Sequence, residues 1–191
     1  MQSLLLVLLF GVVAYAQLPR PCESPKQWEA RIFTQDMSKN YTAYAKGSYD
    51  ETQRRFREIE EVALGTDREY YDVLYLFNVG KEYRLNLKTK KCNVTNLTRP
   101  FRPFGVPPEG QFEFSATIGA AGVPGEYMVV NNFYGNFTDG ARFFGTVTSP
   151  DCMPVSNGFF SEDTGFVHRT FFDMNIGIAD PMVFIPPREC L

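Results

Sequence analysis

An all-β, antiparallel domain is the fold class this sequence predicts, and three observations predict it. Short runs alternate apolar and polar residues with period two. Turn-forming Gly, Asn, Asp and Pro separate those runs at short spacing, and no stretch carries a helical apolar stripe longer than a few turns. About ten short strands at this spacing leave an antiparallel sandwich or barrel as the architecture. The chain has 191 residues, enough for one substantial domain with its own core, and no internal repeat or linker divides it.

The elements follow in order. Residues 4–14 are apolar, uncharged and too short to cross a bilayer, and Ala14-Tyr15-Ala16 fits a small-residue cleavage site before Gln17. This predicts a signal peptide at 1–16 and a single domain at 17–191, although Met1-Gln2-Ser3 lacks the usual basic side chain. No later stretch approaches a membrane span, so the expected product is soluble and secreted. Trp28, Ala30 and Ile32 alternate with Glu29 and Arg31 as in a half-buried strand. Residues 41–49 and 51–62 resemble a hairpin around Ser48-Tyr49-Asp50-Glu51. Its second arm is charged enough to suit an exposed helix, and it is read as a strand because its neighbours need an antiparallel partner.

Residues 70–77 pair naturally with 81–87 across the turn Asn78-Val79-Gly80. Residues 88–108 form a proline-rich excursion anchored at Cys92. Phe112, Phe114, Ala116 and Ile118 alternate again, and strands are predicted at 126–133, 141–149, 155–161 and 165–174. Asp180-Pro181 pairs a capping oxygen with a residue whose missing N–H costs nothing at the first helical position. Pro186-Pro187 limits that short helical turn, and Cys190 staples the tail to something distant.

Four cysteines follow the signal peptide: Cys22, Cys92, Cys152 and Cys190. With no CxxC and only one histidine, they suit two disulfides in an oxidising compartment better than a zinc site, and three pairings are possible. Four glycosylation acceptors, Asn40, Asn93, Asn96 and Asn136, agree with that compartment, where chance gives about one. A net charge of −3 provides no electrostatic footprint for nucleic acid. Phe143-Phe144, Phe159-Phe160 and Phe171-Phe172 each place rings on both faces of a strand, so the outer face needs cover from a second subunit or a wrapped segment.

Reaction chemistry has little to work with. The chain has no GxSxG, HExxH, GxGxxG or phosphate-loop pattern. His168 shares a strand face with Phe166, Thr170 and Phe172, which suits a packed residue or a pH sensor better than a base. The acid pairs Asp50-Glu51, Glu60-Glu61 and Glu162-Asp163 do not form a calcium loop. No catalytic residue is assigned and no cofactor is required.

Several blocks carry a family resemblance. Asp180-Pro181-x-Val183-Phe184-x-Pro186-Pro187-x-x-Cys190, preceded by Phe171-Phe172-Asp173 and Gly177-Ile178, is similar to the C-terminal signature of the ependymin-related proteins, mammalian-type branch. Pro21-Cys22-x-x-Pro25-x-x-Trp28-Glu29, Lys90-Lys91-Cys92 and Asp151-Cys152-x-Pro154-Val155 extend the resemblance over nearly the whole domain. It implies the disulfides Cys22–Cys152 and Cys92–Cys190. A third pair found in many relatives is missing, with Asp67 near one of its positions. It implies two antiparallel sheets forming a sandwich or half-barrel around a deep hydrophobic pocket, as in bacterial lipoprotein carriers. It also implies dimerisation through one sheet and a calcium association for which no metal ligands are assigned.

Strand parity then nominates Ile32, Leu74, Leu76, Phe112, Phe114, Met128, Val130, Phe144 and Phe160 as the pocket lining. The expected function is a non-enzymatic glycoprotein, secreted or in the lysosomal lumen, that binds hydrophobic or anionic lipid-like ligands as a homodimer. Binding of anionic lipid, and contact with anionic membrane surfaces, is expected to strengthen at acidic pH. The competing class is a calcium-associated glycoprotein of the extracellular matrix or of cell adhesion.

Overall fold

The computed structural model describes residues 18–161 and 165–191; the predicted signal peptide and the Glu162-Asp163 pair lie outside them. Among the described residues are eleven strands: β1 (Gln27–Asp36), β2 (Tyr41–Asp50), β3 (Arg55–Leu64), β4 (Asp67–Leu76), β5 (Lys81–Asn86) and β6 (Cys92–Asn96), then β7 (Gln111–Gly119), β8 (Tyr127–Asn136), β9 (Arg142–Thr148), β10 (Pro154–Ser161) and β11 (Gly165–Ile176). The chain is all-β and antiparallel, as its alternation predicts. The two halves expected as separate sheets are hydrogen-bonded into one, in the order β6-β5-β4-β3-β2-β1-β11-β10-β9-β8-β7. Each half is a meander of local hairpins, and the single non-local pairing among these strands, β1 with β11, joins them. A twisted sheet of this width curls, and here its two edges stay unpaired with each other, giving an open half-barrel.

Local chemistry sets the hairpins. The turn between β2 and β3 falls at 51–54, later than the alternation suggests, because Asp50 organises it. Its carboxylate accepts from Thr52 Oγ1 at 2.5 Å, from the Gln53 N–H at 3.3 Å and from Arg55 Nε at 2.9 Å. The charged second arm is β3, and it pairs residue for residue with β2 and β4. Gly80 takes φ +68 in the turn ahead of β5, where a side chain would be strained. The proline-rich excursion contains a strand, β6, which pairs with β5, and its first residue, Cys92, is bonded to Cys190.

The core gathers on the concave face. Trp28, fully buried, lies 5.0 Å from the Tyr49 ring, 6.1 Å from Phe56 and 5.8 Å from Phe171, so strands β1, β2, β3 and β11 meet at one indole. The 97–110 connection must pass from one sheet edge to the other, and it does so across this face. Phe104 packs edge-on to Trp28 at 5.0 Å, and its N–H donates to Tyr49 Oη at 3.3 Å. A few residues on, Val106 N–H donates to the Cys22 carbonyl at 2.8 Å, and Val106 packs with Phe133, Val147 and Cys152 in a second cluster. The Cys22–Cys152 disulfide, 130 residues apart in sequence, stands beside that cluster. Closing so long a loop removes about 4–5 kcal/mol of unfolded-chain entropy.

The convex face is covered in part by the chain's own tail. Asp180 Oδ1 caps a short turn at Pro181–Phe184 by accepting from Met182 N–H at 2.9 Å. Cys190 is bonded to Cys92 on β6. Between them, Arg57 on β3 forks onto both oxygens of Asp72 and donates to the Val183 and Ile185 carbonyls, while Arg55 lies 4.2 Å over the Phe184 ring. Arg57 and Asp72 are largely buried, so losing one leaves the other uncompensated. Arg57→Met is therefore expected to destabilise the fold by about 3 kcal/mol, read from the midpoint of chemical denaturation. A loss near zero would mean that the tail is held by its disulfide alone.

Candidate functional site

The curl and the crossing connection enclose a cavity of about 530 Å³. One wall comes from β2–β4 and the turn that follows, through Tyr49, Phe56, Tyr75 and Phe77. The 97–110 connection supplies Phe101 and Phe104, and the far wall carries Phe133, Phe137, Phe143 and Phe159. The volume falls within the usual range for small-molecule sites, and the walls are aromatic, as such sites tend to be. Burial pushes the Tyr49 and Tyr75 hydroxyls well above their usual value, so both stay neutral.

The lining nominated from the sequence is mostly displaced. Phe144 and Phe160 border the cavity, but the Phe144 ring stacks on Phe166 and His168, which share its strand face, 5.9 Å from each. Ile32 is packed into the core around Trp28. Leu74 and Leu76 stand opposite Arg57 and Arg55, on the convex side where the tail lies. The matching cavity residues are one position on, at Tyr75 and Phe77. On β7 a bulge between Phe112 and Phe114 reverses the alternation. Phe112 therefore packs on Phe133 across the β7–β8 ladder, outside the cavity lining, whereas Phe114 is 49 % exposed. Val130 is buried but outside the lining, and Met128 is exposed.

Charge inside the half-barrel is the feature that the sequence reading missed. Glu58 and Glu60 occupy buried positions on the concave face of β3, in register with Val73 and Tyr71. Arg84 on β5 binds Glu60 Oε1 at 2.9 Å, and Arg169 on β11 lies 3.8 Å from Glu58 Oε2. Burial, then Glu58, hold the Glu60 carboxyl above its usual value despite Arg84. Burial alone would lower Arg84, yet Tyr75 and Glu60 raise it above its normal value. The pair thus favours ionisation on the arginine and opposes it on the acid, and only the acid titrates in an accessible range.

Three arginines border the aromatic space. Arg99 lies 4.6 Å over Tyr75, Arg102 lies 4.1 Å over Phe137 and pairs with Asp139, and Arg169 stands by Glu58. The signal for Arg169 was present in the sequence: Val167, Arg169 and Phe171 recur with period two, so the arginine shares a face with a core phenylalanine.

Other expected residues have plain positions. The disulfides are Cys22–Cys152 and Cys92–Cys190. Asn40, Asn93, Asn96 and Asn136 are all exposed. His168 is half-buried away from the cavity, and burial lowers its pKa. Among the described residues no group of three or more His, Cys, Asp or Glu side chains could hold a metal ion. No helix among them is long and apolar enough to cross a membrane.

This geometry defines a class: a disulfide-stapled antiparallel half-barrel around an aromatic cavity. Within it, the chain belongs to the ependymin family, whose model matches residues 65–190. It is 31 % identical over 183 residues to mammalian ependymin-related protein 1 of Rattus norvegicus, spanning 94 % of this chain and 80 % of that protein. It is 26 % identical over 180 residues to ependymin-2 of Carassius auratus, spanning 93 % and 83 %. An uncharacterized conserved protein from Thermus thermophilus shares the fold, with a TM-score of 0.50 at 11 % identity over 87 % of this chain and 88 % of that one.

Glu60 gives a stability test with a definite sign. Its folded pKa is raised above 4.5, so the folded protein takes up this proton before the unfolded chain does. Acidification from neutrality toward 4.5 therefore adds stability through Glu60, and that gain is lost as pH rises again. In Glu60→Gln the gain should disappear, so the difference in Tm between variant and parent should change between about pH 7 and about pH 4.5. A pH-independent difference would show that Glu60 titrates normally.

Proposed function

We propose that this protein is a non-enzymatic carrier that binds lipid-like amphiphiles in the half-barrel cavity. The observation that supports this most is the cavity itself, about 530 Å³ walled by phenylalanine and tyrosine rings with arginines at its border. Aromatic walls offer area but few hydrogen bonds, so acyl chains or sterol-like bodies suit them, at about 0.8 kcal/mol per buried methylene. The arginines suit an acidic head. Net charge −3 repels an anion at neutral pH, and protonation of Glu60 beside this face relieves part of that repulsion. Binding of an anionic amphiphile is thus stronger at acidic pH, which fits a lysosomal or acidic extracellular setting.

The same reading makes the protein a secreted glycoprotein carrying glycans on its exposed sequons, and a homodimer. Beyond the tail, the convex face shows Tyr44, Phe166 and Phe172, all substantially exposed. A second copy packed there would bury rings that water would otherwise solvate. Phe166→Lys is expected to shift sedimentation from dimer to monomer. A parent protein already monomeric at micromolar concentration would refute the dimer.

Cavity binding is tested with a fluorescent fatty-acyl probe and two aspartate variants. Phe159→Asp places a carboxylate in the wall and should weaken binding about tenfold or more, whereas Phe114→Asp, outside the cavity, should leave it unchanged. Equal effects of the two variants, or affinity equal at about pH 7 and about pH 5, would count against the cavity and the charge argument respectively.

A further inference from the structure

The polar groups of the cavity are not equivalent. Arg102 is engaged by Asp139 and Phe137, and Arg99 is stacked on Tyr75. Arg169 is different. It has five N–H donors and, among the described residues, one ion-pair partner, Glu58 at 3.8 Å, a distance too long for a hydrogen bond, with the Glu60 carboxylate a second, weaker charge nearby. Directly across the β10–β11 ladder is Asn157, and its side-chain Oδ1 is buried with no hydrogen-bond partner. Both residues line the cavity. A buried amide oxygen and a guanidinium left without hydrogen bonds are each costly unless something completes them.

We propose that Arg169 and Asn157 form the head-group subsite of the cavity, taking the singly charged oxyanion of a single-chain amphiphile whose tail runs along the phenylalanine wall. A planar guanidinium fork matches a carboxylate or a monoanionic phosphate ester; the P–OH of the phosphate monoanion would also donate to Asn157 Oδ1, whereas a carboxylate would accept from the Asn157 Nδ2–H. Glu58 already supplies part of the counter-charge, so a second negative charge on the head is disfavoured. The cavity volume accommodates one chain and argues against bulky two-chain lipids. The guanidinium thereby sets specificity for charge, while the rings set affinity for chain length. This deepens the carrier reading and rests on it.

The experiment compares four probes of one chain length, a fatty carboxylate, an alkyl phosphate, the alcohol and the methyl ester, on the full-length protein. The parent should prefer the carboxylate over the alcohol by about ten- to a hundredfold. It should prefer the carboxylate over the dianionic phosphate by a smaller factor. Arg169→Met should remove the preference for the acid while alcohol binding persists, and Arg68→Gln, an exposed arginine outside the cavity, should leave it intact. Arg169→Lys, which keeps the charge without the fork, should retain part of it and serves if the methionine variant does not fold. Asn157→Asp should weaken the acid alone. A preference unchanged in both Arg169 variants, or abolished by Arg68→Gln, overturns the subsite while leaving the cavity as a binding site. Failure of every probe to bind the folded parent overturns the carrier reading and the subsite with it.

Discussion

The packing of Phe104 against Trp28 is the contact on which the rest of the structure depends. Trp28 lies in β1, at the seam where two meanders become one sheet, and rings from β2, β3 and β11 close around it. Phe104 arrives from the connection that crosses between the sheet edges, β6 to β7. It ties the crossing connection to the concave face of a twisted sheet whose edges never pair with each other. Edge-to-face geometry, burial of a whole indole and the Phe104 N–H bond to Tyr49 all act at this one point. The cavity is what remains between the crossing connection and the two halves. Fold and site are thus consequences of the same contact.

A division of labour between the two faces follows. The concave face carries the aromatic core, the cavity and a strip of buried charge. Ionic pairs in such a place contribute little net stability, since desolvation consumes most of the attraction. Their retention makes physical sense where charge has work to do beside a bound molecule. The convex face is partly shielded by the tail, held by Arg57, by the Arg55–Phe184 contact and by the Cys92–Cys190 bond. The rest of that face is ringed with exposed phenylalanine and tyrosine.

Much of the fold was legible because hairpin order and turn chemistry are local. Asn78-Val79-Gly80 and Asp180-Pro181 act through their own backbone, and the strands they delimit fall within a few residues of the alternation. Strand β6 escaped notice because its residues, Cys92–Asn96, are polar and largely exposed at an edge. The β1–β11 pairing is non-local, so nothing in either segment announces it. The lining failed for a sharper reason: parity carries no information on which face is concave, and the β7 bulge inverts it midway through a strand. Leu74 looks like a pocket residue and is buried opposite Arg57 on the convex side instead. Arg169 looks like a solvated charge and faces inward beside Asn157, and only the company of Val167 and Phe171 hints at it.

The central claim is that the space between Phe104 and the far wall is where an amphiphile resides. Intermolecular NOEs between a ¹³C-labelled acyl chain and aromatic ring protons test it most directly. Cross-peaks are expected to Phe133, Phe143 and Phe159, on the far wall of the cavity. Cross-peaks confined to Tyr44, Phe166 and Phe172 would place the chain on the convex face and contradict it.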